Sequence, residues 1–326
     1  MIITVTLNAA IDKTLAVPNF RLGRRHRAVE QTAMAGGKGV NVARALKTLG
    51  QPVIATGVAG GPTGMRIIEQ LTEEAILNDF VRIQQESRTS TAVVDPTSGE
   101  QTEINEQGPE VSAGELDLFR EKLLYLAKGA AFCIFAGSLP RGAEPDLYAQ
   151  LVTDVGRMGV TCILDSAGEP LNLGTRAGPA VVMPNEPEAE ELVGHEFSDE
   201  EDRVLGVGEM VDLGAAEAIM TLPWGCVARV ADPDAGDGVK KTYRARLDPV
   251  ETPVSKVGSG DAFLAGYVAA RYGGGSSRDA LRFGVACGAE STQHFGAGVL
   301  DARAAERLAG DVEIELQPQA EVGSRA

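Results

Sequence analysis

The run Val257-Gly258-Ser259-Gly260-Asp261-Ala262-Phe263-Leu264-Ala265-Gly266-Tyr267 joins a glycine-rich turn to an apolar, helix-like segment, with one acid at the junction. The first N–H groups of a helix have no carbonyl partner, so at such a turn they point at an anion. A carboxylate held beside them can act as a base. Transfer of a phosphoryl group to an alcohol uses both parts, because the donors neutralise charge while the base takes the proton. A plain turn before a helix is the alternative reading of Gly258, Ser259, Gly260 and Asp261.

Three other groups of residues could serve the same chemistry. Gly36-Gly37-Lys38-Gly39-Val40-Asn41 does not match G-x-x-x-x-G-K-[ST], so it is not a Walker A loop. Its paired glycines let a ligand approach the backbone, and Asn41 can both donate and accept hydrogen bonds. A flexible turn with a helix cap explains it equally. Asp12, in Asn8-Ala9-Ala10-Ile11-Asp12, follows the first apolar run and reads as the end of a first strand. In an open α/β sheet ligands bind beyond the carboxyl ends of strands, where Asp12 could accept from sugar hydroxyls; a solvated turn aspartate is the rival. Asn185 and Glu188 are three apart and share a helix face, with oxygens that suit Mg²⁺ through water. A capped helix with an acidic first turn fits the same residues.

The elements that must position these groups alternate. Apolar runs at Ile2–Leu7, Pro52–Val58, Ala131–Ala136 and Val160–Leu164 read as buried strands. Helical spacing falls over Val40–Leu49, Gly64–Glu74, Ala113–Ala127, Pro145–Met158, Ala262–Arg271 and Arg278–Gln293. Val181–Met183, Ala218–Leu222 and Val227–Val230 are short apolar runs between polar stretches. The pattern predicts βαβ units and a mostly parallel sheet covered on both faces. Two segments break it. Thr14–Ala35, around the basic patch Arg21–Arg27, and Ser90–Gly108, around a turn at Asp95–Glu100, read as strands of a small β-layer outside the main sheet. Such a layer would cover a site that must exclude water. The polar tail from about Gln317 reads as frayed.

Bulk properties exclude several classes. A net charge of −16 on 326 residues argues against a nucleic-acid binder or a peripheral membrane protein. No apolar run reaches the roughly 18 residues of a spanning helix. Met1–Leu7 reads as a strand with no basic signal region, so the expected location is cytoplasmic. Cys133, Cys162, Cys226 and Cys287 each sit in an apolar run and form no C-x-x-C pair, so they read as reduced core residues. His26, His195 and His294 lack metal-ligand spacing.

Taken in order, the blocks resemble the ribokinase-like, or phosphofructokinase-B, carbohydrate kinases. The carrying residues are Asn8–Asp12, Gly36–Ala43, Gly137-Ser138-Leu139-Pro140-Arg141-Gly142, Asp165-Ser166-Ala167-Gly168-Glu169, Pro184–Glu188 and Val257–Asp261. The match runs from about residue 2 to 310. The Gly-Ser-Leu-Pro and Asp-Ser-x-Gly-Glu blocks are most similar to the branch acting on phosphorylated ketohexoses, which holds 1-phosphofructokinase, tagatose-6-phosphate kinase and the minor 6-phosphofructokinase.

The resemblance implies an α/β, ribokinase-like fold, with a mostly parallel central sheet between helices and a small β-sheet lid. Residues 1–12, 36–85 and 109–316 would form the body, 13–35 and 86–108 the lid, and 317–326 the tail. It implies Asp261 as catalytic base and Gly258, Ser259 and Gly260 as the anion loop. Asp12, Gly37, Lys38 and Asn41 would hold the sugar, Arg88 its existing phosphate, and Arg27 would be a second contact supplied across a dimer. Asn185 and Glu188 would organise Mg²⁺ with ATP, and Thr221 and Gly225 would lie at the nucleotide. The implied partners are ATP and a sugar phosphate, with a homodimer formed through the lid. Fructose 1-phosphate is the favoured acceptor; fructose 6-phosphate and tagatose 6-phosphate are alternatives. A non-catalytic sugar-phosphate-binding regulator is the alternative from another class.

The chain departs from the family pattern at four places. Ser255-Lys256 replaces Asp-Thr or Ser-Thr before the anion loop, and Met183 stands where much of the branch has lysine. Thr221-Leu222-Pro223-Trp224-Gly225 carries a proline that removes a backbone donor. His294 falls where relatives often place an asparagine near the nucleotide, though a surface histidine fits equally.

Overall fold

The computed structural model describes residues 1–232, 234, 238–248 and 253–318. Fourteen strands occur among them: β1 (Ile2–Thr6), β2 (Ala10–Ala16), β3 (Glu30–Gly36), β4 (Val53–Gly60), β5 (Leu77–Ile83), β6 (Arg88–Val94), β7 (Gln101–Asn105), β8 (Phe132–Ala136), β9 (Thr161–Asp165), β10 (Val181–Val182), β11 (Glu217–Leu222), β12 (Gly225–Ala231), β13 (Lys240–Arg246) and β14 (Glu313–Leu316). Ten α-helices accompany them: α1 (Lys38–Thr48), α2 (Gly61–Glu73), α3 (Ala113–Leu126), α4 (Leu147–Gly156), α5 (Gly168–Arg176), α6 (Glu186–Val193), α7 (Glu200–Asp212), α8 (Ser259–Tyr272), α9 (Ser277–Ser291) and α10 (Ala302–Leu308).

Ten strands form one sheet in the order β14-β13-β12-β11-β10-β9-β8-β1-β4-β5. From β11 to β5 every neighbour is parallel, and β12, β13 and β14 close one side antiparallel. The continuous apolar runs are explained by burial on both faces. Ile2, Ile134, Ile163 and Ile219 pack with α1, α8 and α9, while Ile3, Cys133, Cys162 and Met220 pack with α3, α4 and α7. All four cysteines are free and buried. No helix among the described residues is long and apolar enough to cross a membrane.

The two segments that break the βα rhythm form a second sheet, ordered β3-β2-β6-β7. Strand β2 runs antiparallel to β3 and parallel to β6, which pairs antiparallel with β7. Two placements differ from the sequence reading. Strand β1 stops at Thr6, the chain turns at Leu7 and Asn8, and Asp12 lies within β2, opposite Met34 and Ser90. Asp12 therefore belongs to the second sheet and not to the end of the first strand. The stretch 168–212, whose one helical signal was the cap at Asn185 and Glu188, contains α5, α6 and α7. Their buried faces are narrow, such as Ala189 and Leu192 on α6, so the apolar periodicity is weak. Residues 319–326 of the expected frayed tail lie outside the described residues; Gln317 still pairs, its N–H donating to the Thr242 carbonyl at 2.8 Å.

Candidate active site

The carboxyl ends of β1, β8, β9, β10 and β11 open into one cavity of about 1170 Å³, roofed on one side by the second sheet. This is where ligands bind in open α/β sheets, and the volume exceeds that of an ordinary single-ligand pocket. Its lining includes Asp12, Gly37, Lys38, Asn41, Arg88, Asn185, Glu188, Thr221, Gly225 and the whole run Lys256–Asp261.

Helix α8 begins at Ser259 after Gly258, which has φ +76°. A Cβ at Gly258 would also fall 2.8 Å from the Ala297 side chain, so glycine is required on both counts. The Ser259 amide reaches the Lys256 carbonyl at 3.3 Å, while those of Gly260 and Asp261 find no acceptor among the described residues. These donors open on the cavity. Asp261, in the same first turn, is only 6% exposed. Its carboxylate accepts from Asn41 Nδ2 at 2.9 Å. Burial, followed by the neighbouring Asp165 charge, pushes its pKa up to about 7; Lys38 and Asn41 oppose the rise. A carboxylate poised there suits proton abstraction near neutral pH.

Asp12 sits on the other side of Asn41. Its Oδ2 accepts from the Gly37 N–H at 3.2 Å and from Asn41 Nδ2 at 3.4 Å. Burial holds its pKa above the ordinary value, against those hydrogen bonds and the charges of Arg88 and Arg44. The loop before α1 can approach only because residue 36 is glycine: a Cβ there would lie 2.1 Å from Asp12 Oδ2. Arg88, at the start of β6, donates from Nε to the Asn8 carbonyl and from Nη1 to the Glu106 carbonyl, both at 3.1 Å. Burial lowers its pKa while Asp12 and Glu106 sustain the charge. The guanidinium is thus fixed at the second-sheet side of the cavity.

Lys38 turns towards β9 and α6. Its Nζ donates to Asp165 Oδ1 at 2.6 Å and lies 3.6 Å from Glu188 Oε1. Burial works against its charge, but Asp165, Glu188 and Asp261 together outweigh it and raise its pKa. Asn185 and Glu188 form a reciprocal cap on α6: Asn185 Oδ1 accepts from the Glu188 N–H at 3.0 Å, and Glu188 Oε2 from the Asn185 N–H at 2.9 Å. The capped-helix reading is therefore realised, yet both residues also line the cavity, with Glu188 Oε1 directed at Lys38. Burial raises the Glu188 pKa, with Lys38 opposing.

Thr221 and Gly225 flank the turn between β11 and β12, where Pro223 and Trp224 also face the cavity. Met183 is buried in the lining and Lys256 is exposed at its rim. Arg27 is exposed and does not line the cavity. His294 is likewise absent from the lining; it pairs with Glu290 at 2.7 Å. The sequence reading assigned no role to Asp165, Asn8 or Arg44. Asp165 ends β9 at the carboxyl edge and was legible by that rule. Asn8 donates to the Gln107 carbonyl and Ser138 Oγ, contacts about 100 and 130 residues away that no local pattern reveals.

A family model described as pfkB family carbohydrate kinase matches residues 4–303. The chain belongs to that family. It is 31% identical over 288 residues to a 1-phosphofructokinase of Borreliella burgdorferi, covering 88% of this chain and 90% of the relative. A tagatose-6-phosphate kinase of Staphylococcus epidermidis is 32% identical over 268 residues, covering 82% and 84%. Among solved structures, phosphofructokinase-2 of Escherichia coli in complex with substrates and products superposes with a TM-score of 0.85 at 28% identity, covering 95% and 98%. The fold is ribokinase-like, with the second sheet as its lid, and the protein is a sugar-phosphate kinase. Carbohydrate kinases of this family use ATP.

Proposed function

We propose that the protein transfers the terminal phosphoryl group of ATP to a hydroxyl of a phosphorylated ketohexose, with fructose 1-phosphate as its acceptor and fructose 1,6-bisphosphate as product. The observation that carries this reading is the juxtaposition of a buried Asp261, raised to about 7, with unpaired amides in the first turn of α8. Asp261 takes the proton of the attacking hydroxyl. The amides of Gly258–Asp261 stabilise the charge on the group in transfer. Asp12, Gly37 and Asn41 hold sugar hydroxyls, and Arg88 takes the phosphate already on the sugar. The choice of fructose 1-phosphate leans on the 1-phosphofructokinase relative, 31% identical over 88% of this chain. Fructose 6-phosphate and tagatose 6-phosphate are the second readings, favoured by the other two relatives.

Among the described residues no cluster of three or more His, Cys, Asp or Glu side chains could hold a metal ion alone. Mg²⁺ would therefore be shared with nucleotide phosphates, held from the protein side through water by Glu188 and Asn185, whose oxygens suit it. Bound there, it would neutralise phosphate charge. Lys38, between Asp165 and Glu188, supplies a fixed cation on that side of the cavity, and Thr221 and Gly225 border the nucleotide. The second sheet excludes water, and a homodimer forms through it, with Arg27 reaching the partner's site. A phosphofructokinase-2 relative assembles further, as a tetramer in its inhibited form.

The test is ADP release with fructose 1-phosphate, fructose 6-phosphate and tagatose 6-phosphate, repeated with Asp261→Asn. We expect fructose 1-phosphate to give the highest kcat/KM and the substitution to lower kcat by about 10²–10⁴-fold while sugar-phosphate binding survives. Undiminished turnover in Asp261→Asn would sink the assigned base. A preference for either 6-phosphate would move the assignment to that substrate.

A further inference from the structure

Arg44 is a charged residue in the core, 6% exposed, one turn after Asn41 on α1. Its guanidinium uses every edge. Nε and Nη2 form a fork on Glu74 at 2.6 and 2.9 Å. Nη2 also donates to the Ala35 carbonyl at 2.6 Å, next to the loop that carries Gly37 and Lys38. Nη1 donates to the Ala297 carbonyl at 3.2 Å and to Asn41 Oδ1 at 3.3 Å. Ala297 is the residue against which Gly258 packs.

The contact with Asn41 has a chemical consequence. Asn41 is 4% exposed, and its amide can be turned over with no change of shape. One side of it faces Asp261 and Asp12, the other faces Arg44. A guanidinium only donates, so it admits only the oxygen of Asn41. The NH₂ must then face the two carboxylates. Without Arg44 the amide is free to turn when Asp261 carries a proton, because an Asp261 O–H can donate to Asn41 Oδ1.

We propose that Arg44 is a positioning residue that locks the Asn41 amide with its NH₂ towards Asp261 and Asp12, and so holds Asp261 ready as a proton acceptor. The inference deepens the proposed mechanism and rests on Asp261 being the base. Other groups set the background that the lock acts upon. Asp165 from β9, Lys38 from α1 and Asp12 from β2 face Asp261. Arg88 from β6 acts on Asp12, and Glu188 from α6 on Lys38. Among the described residues none of these groups donates to Asn41 Oδ1.

The experiment titrates the Asp261 carboxyl directly, by ¹³C NMR of aspartate-labelled protein with the signal identified by its loss in Asp261→Asn. Single-turnover rates are measured over the same pH range. Arg44→Lys keeps the charge and the pairing with Glu74 but cannot span Asn41, Ala35 and Ala297 together. We expect it to raise the Asp261 midpoint by about one pH unit, because the protonated form gains a hydrogen bond and the ionised form loses one. The acid limb of the rate profile should move with it. Arg44→Met combined with Glu74→Met removes both charges of the pair and should shift the midpoint in the same direction. Glu74→Gln, which leaves the Asn41 contact in place, should lower Tm without moving the midpoint. An unmoved midpoint in both Arg44 variants overturns the inference, as does an equal shift in Glu74→Gln, which would mean that general loosening is the cause. Failure of the mechanistic reading shows separately: Asp261→Asn would then retain turnover, whatever the carboxyl titration does.

Discussion

At the scale of single residues, the raised pKa of Asp261 has a cost in stability that can be measured. A carboxyl whose folded pKa stands above its ordinary 3.8 binds its proton more tightly in the native state. Its contribution to stability is therefore complete below about pH 4 and declines as pH rises towards the folded value of about 7. Asp261→Asn removes that penalty. The variant should melt about 2–5 °C higher than the parent at pH 8, with the difference vanishing near pH 4 in thermal scans. An inactive variant that is no more stable at pH 8 would argue against a desolvated carboxylate. Arg88 supports a second expectation. Its guanidinium is pinned by two carbonyls, so Arg88→Gln should raise KM for the sugar phosphate by about 10–100-fold, the worth of one charged hydrogen bond. The effect on kcat should be smaller, and an unphosphorylated ketohexose should not feel the change. Asp261 was legible from its own glycine-rich run and Arg88 only through the family resemblance; both line the cavity. Arg44 was not. It stands in an ordinary helical run, and its five hydrogen bonds, to the four residues Asn41, Glu74, Ala35 and Ala297, come together only after the chain has folded.

At the scale of elements, the proposed catalytic turn depends on how α8 starts. Gly258 has a left-handed φ and no room for a Cβ beside Ala297. Gly258→Ala should destabilise the protein by about 1–2 kcal/mol from the backbone alone, and more if Ala297 cannot yield. Since the amides would be re-aimed, kcat should fall more steeply than the sugar-phosphate affinity; a variant with lower Tm but unchanged kcat would show that the turn is merely structural. The strength of local signals explains which elements the sequence revealed. Helix α8 was legible from its unbroken apolar run after glycines, and β1, β8 and β9 from runs buried on both faces. Strand β13, Lys-Lys-Thr-Tyr-Arg-Ala-Arg, was not, because its neighbours and not its own composition hold it in the sheet. Asp12 was placed on the wrong strand for a related reason. Leu7 and Asn8 make a turn without proline or glycine, so nothing local divides β1 from β2.

At the scale of the whole molecule, the second sheet leaves apolar side chains in water. Leu22, Val29 and Ile104 are 89%, 70% and 61% exposed, and all belong to the strands and loop of that sheet. The loop also carries Arg21, Arg24, Arg25 and Arg27, on a chain whose net charge is −16. Exposed apolar side chains together with cations are suited to pairing with a second copy, and a closed two-fold arrangement could bring each loop near the other's cavity. We expect sedimentation to give a homodimer and Ile104→Lys to weaken it. Arg27→Ala should raise KM for the sugar phosphate although Arg27 is outside its own cavity. A mixing experiment separates a contact made across the dimer from a local one. Asp261→Asn chains have intact Arg27 but an inactive site, and Arg27→Ala chains have an intact base but a weakened site. In a mixed dimer the Arg27→Ala chain receives Arg27 from its partner. Unfolded, mixed in equal amounts and refolded together, the two variants should regain parental KM at one site of each mixed dimer, about one site in four of the whole preparation, with activity well above the sum of the separate preparations at low sugar phosphate. Activity equal to that sum would assign Arg27 to its own chain or to no site at all.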